Sequence, residues 1–141
     1  MNDALLRRGS IELVAALALV AFVAGRVRKD AFSGNSSGVP IHVVATMISQ
    51  GDANREIDGF APLLLGRARD CDIVLERDSD VSRYHARLES DNDMLFLRDL
   101  ESTNGTFLNG APVRGSIEVR TGDEIDLGVT RMRIDRIARG T

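Results

Sequence analysis

The sequence is poor in residues on which several common kinds of protein depend. Its 141 residues include one cysteine, Cys71, so no intramolecular disulfide can form, which fits a reducing compartment. Two histidines and one cysteine show no spacing typical of a metal site, and we predict neither a metal nor a cofactor. Aromatic residues make up only 4% of the chain, so the core must consist mostly of valine, isoleucine, leucine and alanine.

Enzymatic and nucleic-acid-binding functions also have little support. Asp80, Ser82 and His85 together could suggest a hydrolytic triad. However, there is no Gly-x-Ser-x-Gly nucleophile elbow, and Ser82 and His85 are separated by only a short spacing within one junction between a loop and a strand. The formal net charge of −3 disfavours a nucleic acid as the main partner. We therefore predict a binding protein that is not an enzyme.

The middle of the chain alternates between short apolar runs, such as residues 73–75 and 95–97, and polar, glycine-rich stretches. Short strands joined by such turns are typical of an all-β sandwich or barrel. The polar stretches then lie in connecting loops, where binding groups usually sit on a rigid scaffold. These stretches are Gly66-Arg67, Ser82-Arg83-Tyr84-His85, Ser102-Thr103-Asn104-Gly105-Thr106 and Asn109-Gly110.

The side chains of these stretches suit an oxyanion ligand. Arg67 and Arg83 can only donate hydrogen bonds, whereas the hydroxyls of Ser82 and Thr103 can donate or accept. An arginine fork, hydroxyls and backbone N–H groups in glycine-rich turns together suit a dianionic phosphate. The amide of Asn104 both donates and accepts, which suits the main chain of a peptide.

Each stretch also has a purely structural interpretation. A Gly-Arg pair is usually a turn followed by a solvated charge. The two Asn-Gly pairs are turn signals, because both residue types tolerate positive φ. For His85 we favour a buried residue that holds two loops together over direct contact with a ligand. Cys71 precedes an apolar run and is interpreted as a small buried residue rather than a reactive thiol.

The order and spacing of these residues resemble a forkhead-associated (FHA) domain over about residues 41–137. The resemblance implies an all-β sandwich of about eleven strands, with one loop-built face that binds phosphothreonine peptides. By this resemblance Arg67 and Ser82 would hold the phosphate. Arg83 would lie beside it, Thr103 would support it, and Asn104 would hydrogen-bond the peptide main chain. The residues that would shape the loops are Gly66, His85, Gly105, Asn109 and Gly110.

Strand signals continue on both sides of the motif. Residues 51–56 are expected to form a polar turn, and a hairpin is expected around Asp91-Asn92. In residues 130–134 apolar and basic residues alternate, as in a strand with one buried face. The other predicted strands comprise residues 41–48, 60–65, 84–89, 94–98, 117–119 and 125–127.

An almost unbroken apolar run occupies residues 11–25. As a helix it would be roughly 22 Å long, short of the roughly 30 Å hydrocarbon core of a bilayer. Extension to residue 27, with Arg26 and Arg28 reaching towards water, brings it close to a full span. We therefore predict a single transmembrane helix at about residues 11–27. A signal peptide and a soluble or partner-bound helix are the alternatives.

The predicted chain has an anchor segment (1–29), a flexible Ser/Gly linker (30–40), an FHA domain (41–138) and a tail (139–141). A small excess of cations after the helix favours a single-pass protein whose domain faces the cytoplasm. We predict a membrane-tethered, phosphothreonine-binding adaptor that recruits a Ser/Thr kinase or its substrate. The alternative is a structural module of an envelope, division or secretion assembly that binds its partner without phosphate.

Overall fold

The computed structural model describes residues 39–140, and these form eleven β-strands in two sheets. The strands are β1 (Ile41–Ile48), β2 (Arg55–Phe60), β3 (Leu63–Gly66), β4 (Ile73–Val74), β5 (Ala86–Asp91), β6 (Met94–Asp99), β7 (Thr106–Leu108), β8 (Ala111–Pro112), β9 (Ser116–Val119), β10 (Glu124–Leu127) and β11 (Thr130–Arg139). One sheet has six strands in the order β2-β1-β11-β10-β7-β8. The other has five, in the order β4-β3-β5-β6-β9.

Side chains that face inward between the two sheets form an aliphatic core. In β1, Ile41, Val43 and Ala45 are fully buried, whereas the intervening residues point outward, as expected for a strand with one covered face. Met132 and Ile134 repeat this pattern in β11. Full burial of one such aliphatic side chain stabilises the fold by roughly 1.5–3 kcal/mol. Among residues 39–140 the buried hydrophobic core contains no phenylalanine or tyrosine, which confirms the prediction of an aliphatic core.

Strand register brings several loops to one end of the five-stranded sheet. Leu65 of β3 pairs with Ala86 of β5, and Ala86 in turn pairs with Asp99 of β6. The end of β3, the start of β5 and the end of β6 therefore lie side by side at one end of this sheet. We term this end of the sheet the loop end. Its first, second and third loops comprise residues 67–72, 75–85 and 100–105.

The strand predicted at residues 60–65 is wrong in its extent. Phe60 is the last residue of β2 in the six-stranded sheet, whereas Leu63 begins β3 in the five-stranded sheet. Pro62 lies between them and has no N–H group to offer a ladder of hydrogen bonds. One apolar run therefore supplies the ends of two strands, and the chain crosses from one sheet to the other within it.

Two predicted turns also shift. The polar turn expected at residues 51–56 ends earlier, because β2 already begins at Arg55. β2 is an edge strand, where exposed charged side chains are tolerated. The hairpin between β5 and β6 turns at Asn92-Asp93, one residue later than expected, since Asp91 still pairs with Met94. The φ values of 47° and 64° at the two turn residues are typical of a two-residue type I′ hairpin.

The all-β sandwich of about eleven strands is confirmed for residues 39–140. Within the same range, no helix has the length and apolar character needed to cross a bilayer. The helix predicted at residues 11–27 lies outside the described residues and stays a prediction.

Candidate functional site

Arg67 follows β3 directly, and its side chain is exposed at the loop end. Its backbone N–H donates to the carbonyl oxygen of Ser82 (3.0 Å), and its Nε–H donates to the carbonyl oxygen of Val81 (3.0 Å). Both bonds fix the arginine against the second loop. Among the described residues, no hydrogen bond engages its terminal amino groups. The guanidinium is thus held at its base while its outer donors can reach an anion.

Gly66 is required because the first and second loops cross at very short range. A Cβ atom at this position would lie 2.1 Å from the carbonyl oxygen of Arg83. The same oxygen accepts a hydrogen bond from the backbone N–H of Ala68 (3.0 Å). A side chain at position 66 would therefore push the loops apart and displace Arg67.

The backbone of Arg83 is fixed by hydrogen bonds to the first loop, while its side chain is exposed. Its carbonyl oxygen also accepts a hydrogen bond from the Sγ of Cys71 (3.4 Å). Cys71 is only 7% exposed, which confirms that it is a small buried residue. The phenol of Tyr84 donates to Oδ2 of Asp70 (2.8 Å) in the first loop. This hydrogen bond to a carboxylate raises the pKa of Tyr84 above its ordinary value.

Ser82 connects the second loop to the third. Its Oγ accepts a hydrogen bond from the backbone N–H of Thr103 (3.0 Å). Because Oγ is the acceptor in this contact, its own hydroxyl proton remains available for donation to a ligand oxygen. Thr103 contributes a backbone group here, and its side chain is exposed. The hydroxyl of Ser82 is therefore positioned before any ligand arrives.

His85 is fully buried beneath the second and third loops. Its Nδ1 accepts the backbone N–H of Ser82 (3.0 Å), so the proton of the neutral ring lies on Nε2, which donates to the carbonyl oxygen of Gly105 (3.0 Å). Its own backbone bonds to Leu65 and Leu100. Burial lowers the pKa of His85, although the hydrogen bond to the Gly105 carbonyl opposes this effect. A neutral imidazole thus forms hydrogen bonds with both loops, and the loop-holding role of His85 stays a prediction that its removal can test.

Asn104 lies on the third loop and is exposed. Its Nδ2 donates to the carbonyl oxygen of Asp80 (2.9 Å) and so ties the third loop to the second. No described residue supplies a hydrogen bond to its Oδ1. An exposed amide that is held on one side in this way can pair with the main chain of a peptide.

Asn109 and Gly110 lie away from this cluster. They form the turn between β7 and β8, with φ values of 50° and 82°, and β7 separates them from the loop end. The side chain of Asn109 donates to Oδ1 of Asp123 (3.0 Å) and accepts the backbone N–H of Glu124 (2.9 Å). The structure therefore brings the first three polar stretches of the sequence together and places the fourth elsewhere.

Two carboxylates outside the sequence motifs also organise the loops. Asp99, at the end of β6, accepts hydrogen bonds from Oγ1 of Thr106 (2.6 Å) and from the backbone N–H of Ser102 (3.1 Å). The hydroxyl of Ser102 donates to it as well. These bonds fold the third loop back onto the start of β7. An aspartate followed closely by a serine is a local turn signal, and it could have indicated this role.

Asp78 is the second of these carboxylates and is only 7% exposed. Its Oδ1 accepts the backbone N–H of Asp80 (3.1 Å), while its Oδ2 accepts the N–H of Val129 (2.9 Å) and the hydroxyl of Thr130 (2.8 Å). It therefore connects the second loop to the turn between β10 and β11. The partners on that turn lie 51 and 52 positions further along the chain, so no local pattern reveals the contact.

The charge around the site is mixed. Neither Arg67 nor Arg83 has a carboxylate partner among the described residues, although Asp80 and Glu101 are exposed in the same loops. An anion at the loop end would thus meet a guanidinium and a hydroxyl rather than a large excess of positive charge. Within residues 39–140 there is no cluster of histidine, cysteine, aspartate and glutamate side chains that could hold a metal ion.

Comparison with known proteins identifies the fold. Residues 63–128 match the family model described as the FHA domain. A chain solved in a structural and functional analysis of phosphothreonine-dependent FHA domain interactions is 31% identical, with a TM-score of 0.57 over 66% of this chain and 96% of that one. The chain belongs to the FHA domain family. The FhaA FHA domain, solved in complex with the intracellular domain of Rv3910, is 30% identical to it, with a TM-score of 0.55 over 65% and 98% of the two chains.

Curated proteins with similar sequences include one named for an FHA domain and one named as a regulator. The FHA domain-containing protein FhaB of Mycolicibacterium smegmatis is 40% identical over 72 residues, which is 51% of this chain and 46% of FhaB. The glycogen accumulation regulator GarA of Mycobacterium tuberculosis is 39% identical over 67 residues, or 48% and 40% of the two chains. The similarity thus spans less than half the length of these relatives.

Proposed function

We propose that this FHA-domain chain binds phosphothreonine-containing segments of a partner protein and acts as an adaptor in signalling by Ser/Thr kinases. In this proposal it is a binding module that carries out no reaction of its own. Membership of the FHA family supports the proposal, and so does the agreement between the residues of the loop end and the chemistry of a phosphate group.

The observation that carries the proposal is the arrangement of Arg67 beside Ser82. The arginine is tied to the second loop through its backbone and its Nε, so its outer N–H groups remain for a ligand. The serine accepts from Thr103 and keeps its hydroxyl proton for donation. A phosphate oxygen that meets both groups gains charge-assisted hydrogen bonds, each worth roughly 1.5–3 kcal/mol.

Arg83 and Asn104 extend this contact in the proposed complex. Arg83 is exposed on the same loop as the serine and supplies a second positive charge near the phosphate. Asn104 is held against the second loop by Asp80, and its unpaired Oδ1 faces no competing donor among the described residues. We assign it to the peptide main chain, because an amide oxygen accepts the kind of N–H group that every non-proline residue of a peptide offers.

Tethering to a membrane is part of the proposal and rests on the sequence alone. The apolar run at residues 11–27 would anchor the chain, and the cations that follow it favour a domain in the cytoplasm, where Ser/Thr kinases act. The partner would then be such a kinase or one of its phosphorylated substrates, recruited to the membrane surface.

Calorimetric titration of the full chain in mild detergent tests the binding function. The probes are two peptides of identical sequence that differ only in phosphorylation of one threonine. We expect the phosphorylated peptide to bind at least about tenfold more tightly, because the phosphate supplies at least one charge-assisted contact. Equal binding of both peptides contradicts the proposal and favours a module that recognises its partner without phosphate.

A further inference from the structure

A second concavity lies beside the second loop and has a volume of about 560 Å³. It is formed where the β1–β2 turn, the end of β4 and the β10–β11 turn meet. β2 and β4 are edge strands of the two sheets, so this is an open side of the sandwich. We term it the edge groove, and its lining includes Met47, Ala53, Arg55, Val74, Leu75 and Val129.

The inner part of the edge groove is apolar. Met47 and Leu75 are 6% and 5% exposed, and Val74 is half-buried beside them. Val129 is 47% exposed, although its backbone N–H is fixed by the carboxylate of Asp78. An exposed valine that is held over an apolar floor suits contact with an aliphatic side chain from a ligand.

The rim of the groove has one cation that is not neutralised. Arg77 pairs with Asp52 across the rim (2.9 Å), and Glu76 pairs with Arg69 (3.2 Å). Arg55 also lines the groove and is exposed, but no carboxylate among residues 39–140 pairs with it. The groove therefore favours a ligand that brings a carboxylate next to its aliphatic side chain.

The edge groove and the phosphate site share the second loop, and Leu75 of the groove donates its backbone N–H to the carbonyl oxygen of Gly66, next to Arg67 (2.8 Å). Leu75 and Asp78 line the groove, while Ser82 belongs to the phosphate site. Asp78 and Ser82 are four positions apart, so their Cα atoms are separated by at most about 14 Å. An extended peptide advances about 3.3 Å per residue, so a residue about four positions from a bound phosphothreonine can reach the groove.

We propose that the edge groove binds a second, extended segment of the same phosphorylated partner. This segment presents an aliphatic side chain to Leu75 and Val129 and a neighbouring carboxylate to Arg55, about four and five residues from the phosphothreonine. Exposed sheet edges are common docking places for extended peptides. The inference rests on the proposed phosphothreonine-binding function and adds a rule for the sequence of its ligand.

The test uses calorimetry on the full chain with three synthetic peptides and an alanine-extended control. The first is Ala-Ala-phosphothreonine-Ala-Ala. The second adds Ala-Leu-Glu at its C-terminal end, and the third adds Glu-Leu-Ala at its N-terminal end. We expect one of the two extended peptides to bind about fivefold or more tightly than the short one, because it alone fills the groove. Extension by three alanines in the same direction should bring no comparable gain.

Variants of exposed residues show whether the tighter binding of the extended peptide comes from the edge groove. In Arg55→Glu and Val129→Asp the affinity of the short peptide should stay unchanged while the gain from the extension disappears. Arg136→Glu is the matched control, because it makes the same charge change at an exposed position of β11, opposite Val44 of β1 and outside both the loop end and the groove lining. It should keep both the short-peptide affinity and the gain.

Two kinds of failure are distinguishable. If the short peptide binds and neither extension tightens it, or if the gain survives in both groove variants, the groove inference is overturned and the phosphothreonine site stands. If the short phosphorylated peptide does not bind, the proposed function fails and the groove inference fails with it.

Discussion

The Oγ of Ser82 accepts a hydrogen bond from the backbone N–H of Thr103 at 3.0 Å, which joins two residues 21 positions apart in the chain. The second and third loops are thus connected at the point where a phosphate oxygen would be received. His85 and Asn104 add further bonds between the same loops. A ligand therefore meets groups that are already ordered, so little of its binding free energy is lost in arranging them.

Arg67→Ala should weaken binding of a phosphothreonine peptide by roughly 1.5–3 kcal/mol, because it removes a charge-assisted contact to the phosphate. The free energy of unfolding should change little, since the side chain is exposed. Calorimetry and thermal denaturation measure the two quantities. Arg136→Ala, which removes an exposed arginine of β11 away from the loop end, is the control and should bind normally. An unchanged affinity in Arg67→Ala means that the site is assigned to the wrong residues.

His85→Ala and Ser82→Ala should fail in different ways. Loss of the imidazole leaves the backbone N–H of Ser82 and the carbonyl of Gly105 without their partner, which costs roughly 1–3 kcal/mol for each buried group. His85→Ala should therefore lower the melting temperature, whereas Ser82→Ala should mainly weaken phosphopeptide binding. Thermal denaturation and calorimetry on both variants separate these effects. A His85→Ala protein that melts normally but binds no phosphopeptide would reverse the structural assignment of the histidine.

The stability of the domain should fall as the pH decreases below about 6.5, the ordinary pKa of histidine. Burial lowers the pKa of His85 in the folded state, so between these two pKa values the unfolded chain binds a proton that the folded chain does not. The free energy of unfolding therefore decreases with falling pH in this window and is unaffected by His85 above it. Urea denaturation at a series of pH values measures the slope. His85→Gln, which cannot titrate, should show a shallower slope, and an equally steep one would show that other groups cause the effect.

The alternation of buried and exposed residues along the strands and the aliphatic composition of the core were predictable from the sequence, whereas contacts between distant segments were not. The bounds of β1 are correct because each inward residue is apolar over the whole strand. The single strand predicted at residues 60–65 is wrong because this apolar run contains the end of β2 in one sheet and the start of β3 in the other. The order and spacing of the first three polar stretches grouped them in the sequence, and the structure brings these stretches together at the loop end. Asp78 was not, because its partners Val129 and Thr130 are far away in the sequence.

Phosphothreonine should be preferred over phosphoserine by a factor of several. FHA domains, by family resemblance, receive the threonine methyl group in a small pocket between the binding loops. Burial of one methyl group contributes roughly 0.8 kcal/mol from transfer alone, and close packing adds to this. Titration with two peptides that differ only in this methyl group measures the preference. Equal affinities would mean that the chain does not use the binding mode of its family.

The full chain should fractionate with membranes and require detergent for extraction. The apolar residues between positions 11 and 27 cover all faces of a helix, and such a helix must be buried in protein or lipid. Fractionation of cells that express the full chain tests this, with a variant that lacks residues 1–38 as the soluble comparison. Recovery of the intact full chain without detergent would refute the anchor. Labelling of a cysteine engineered into the linker, from either side of the membrane, determines which side the domain faces.

The hydrogen bond between Tyr84 and Asp70 gives the chain a built-in optical reporter. The sequence contains one tyrosine and no tryptophan, so near-ultraviolet emission from the unmodified chain comes almost entirely from Tyr84. This residue lies between Arg83 and His85, and its phenol donates to a carboxylate that can accept its proton in the excited state and quench its fluorescence. A ligand that rearranges the second loop or draws Asp70 away changes this emission. Tyrosine emission therefore reports whether this bond between the first and second loops is intact, without a dye attached to the chain.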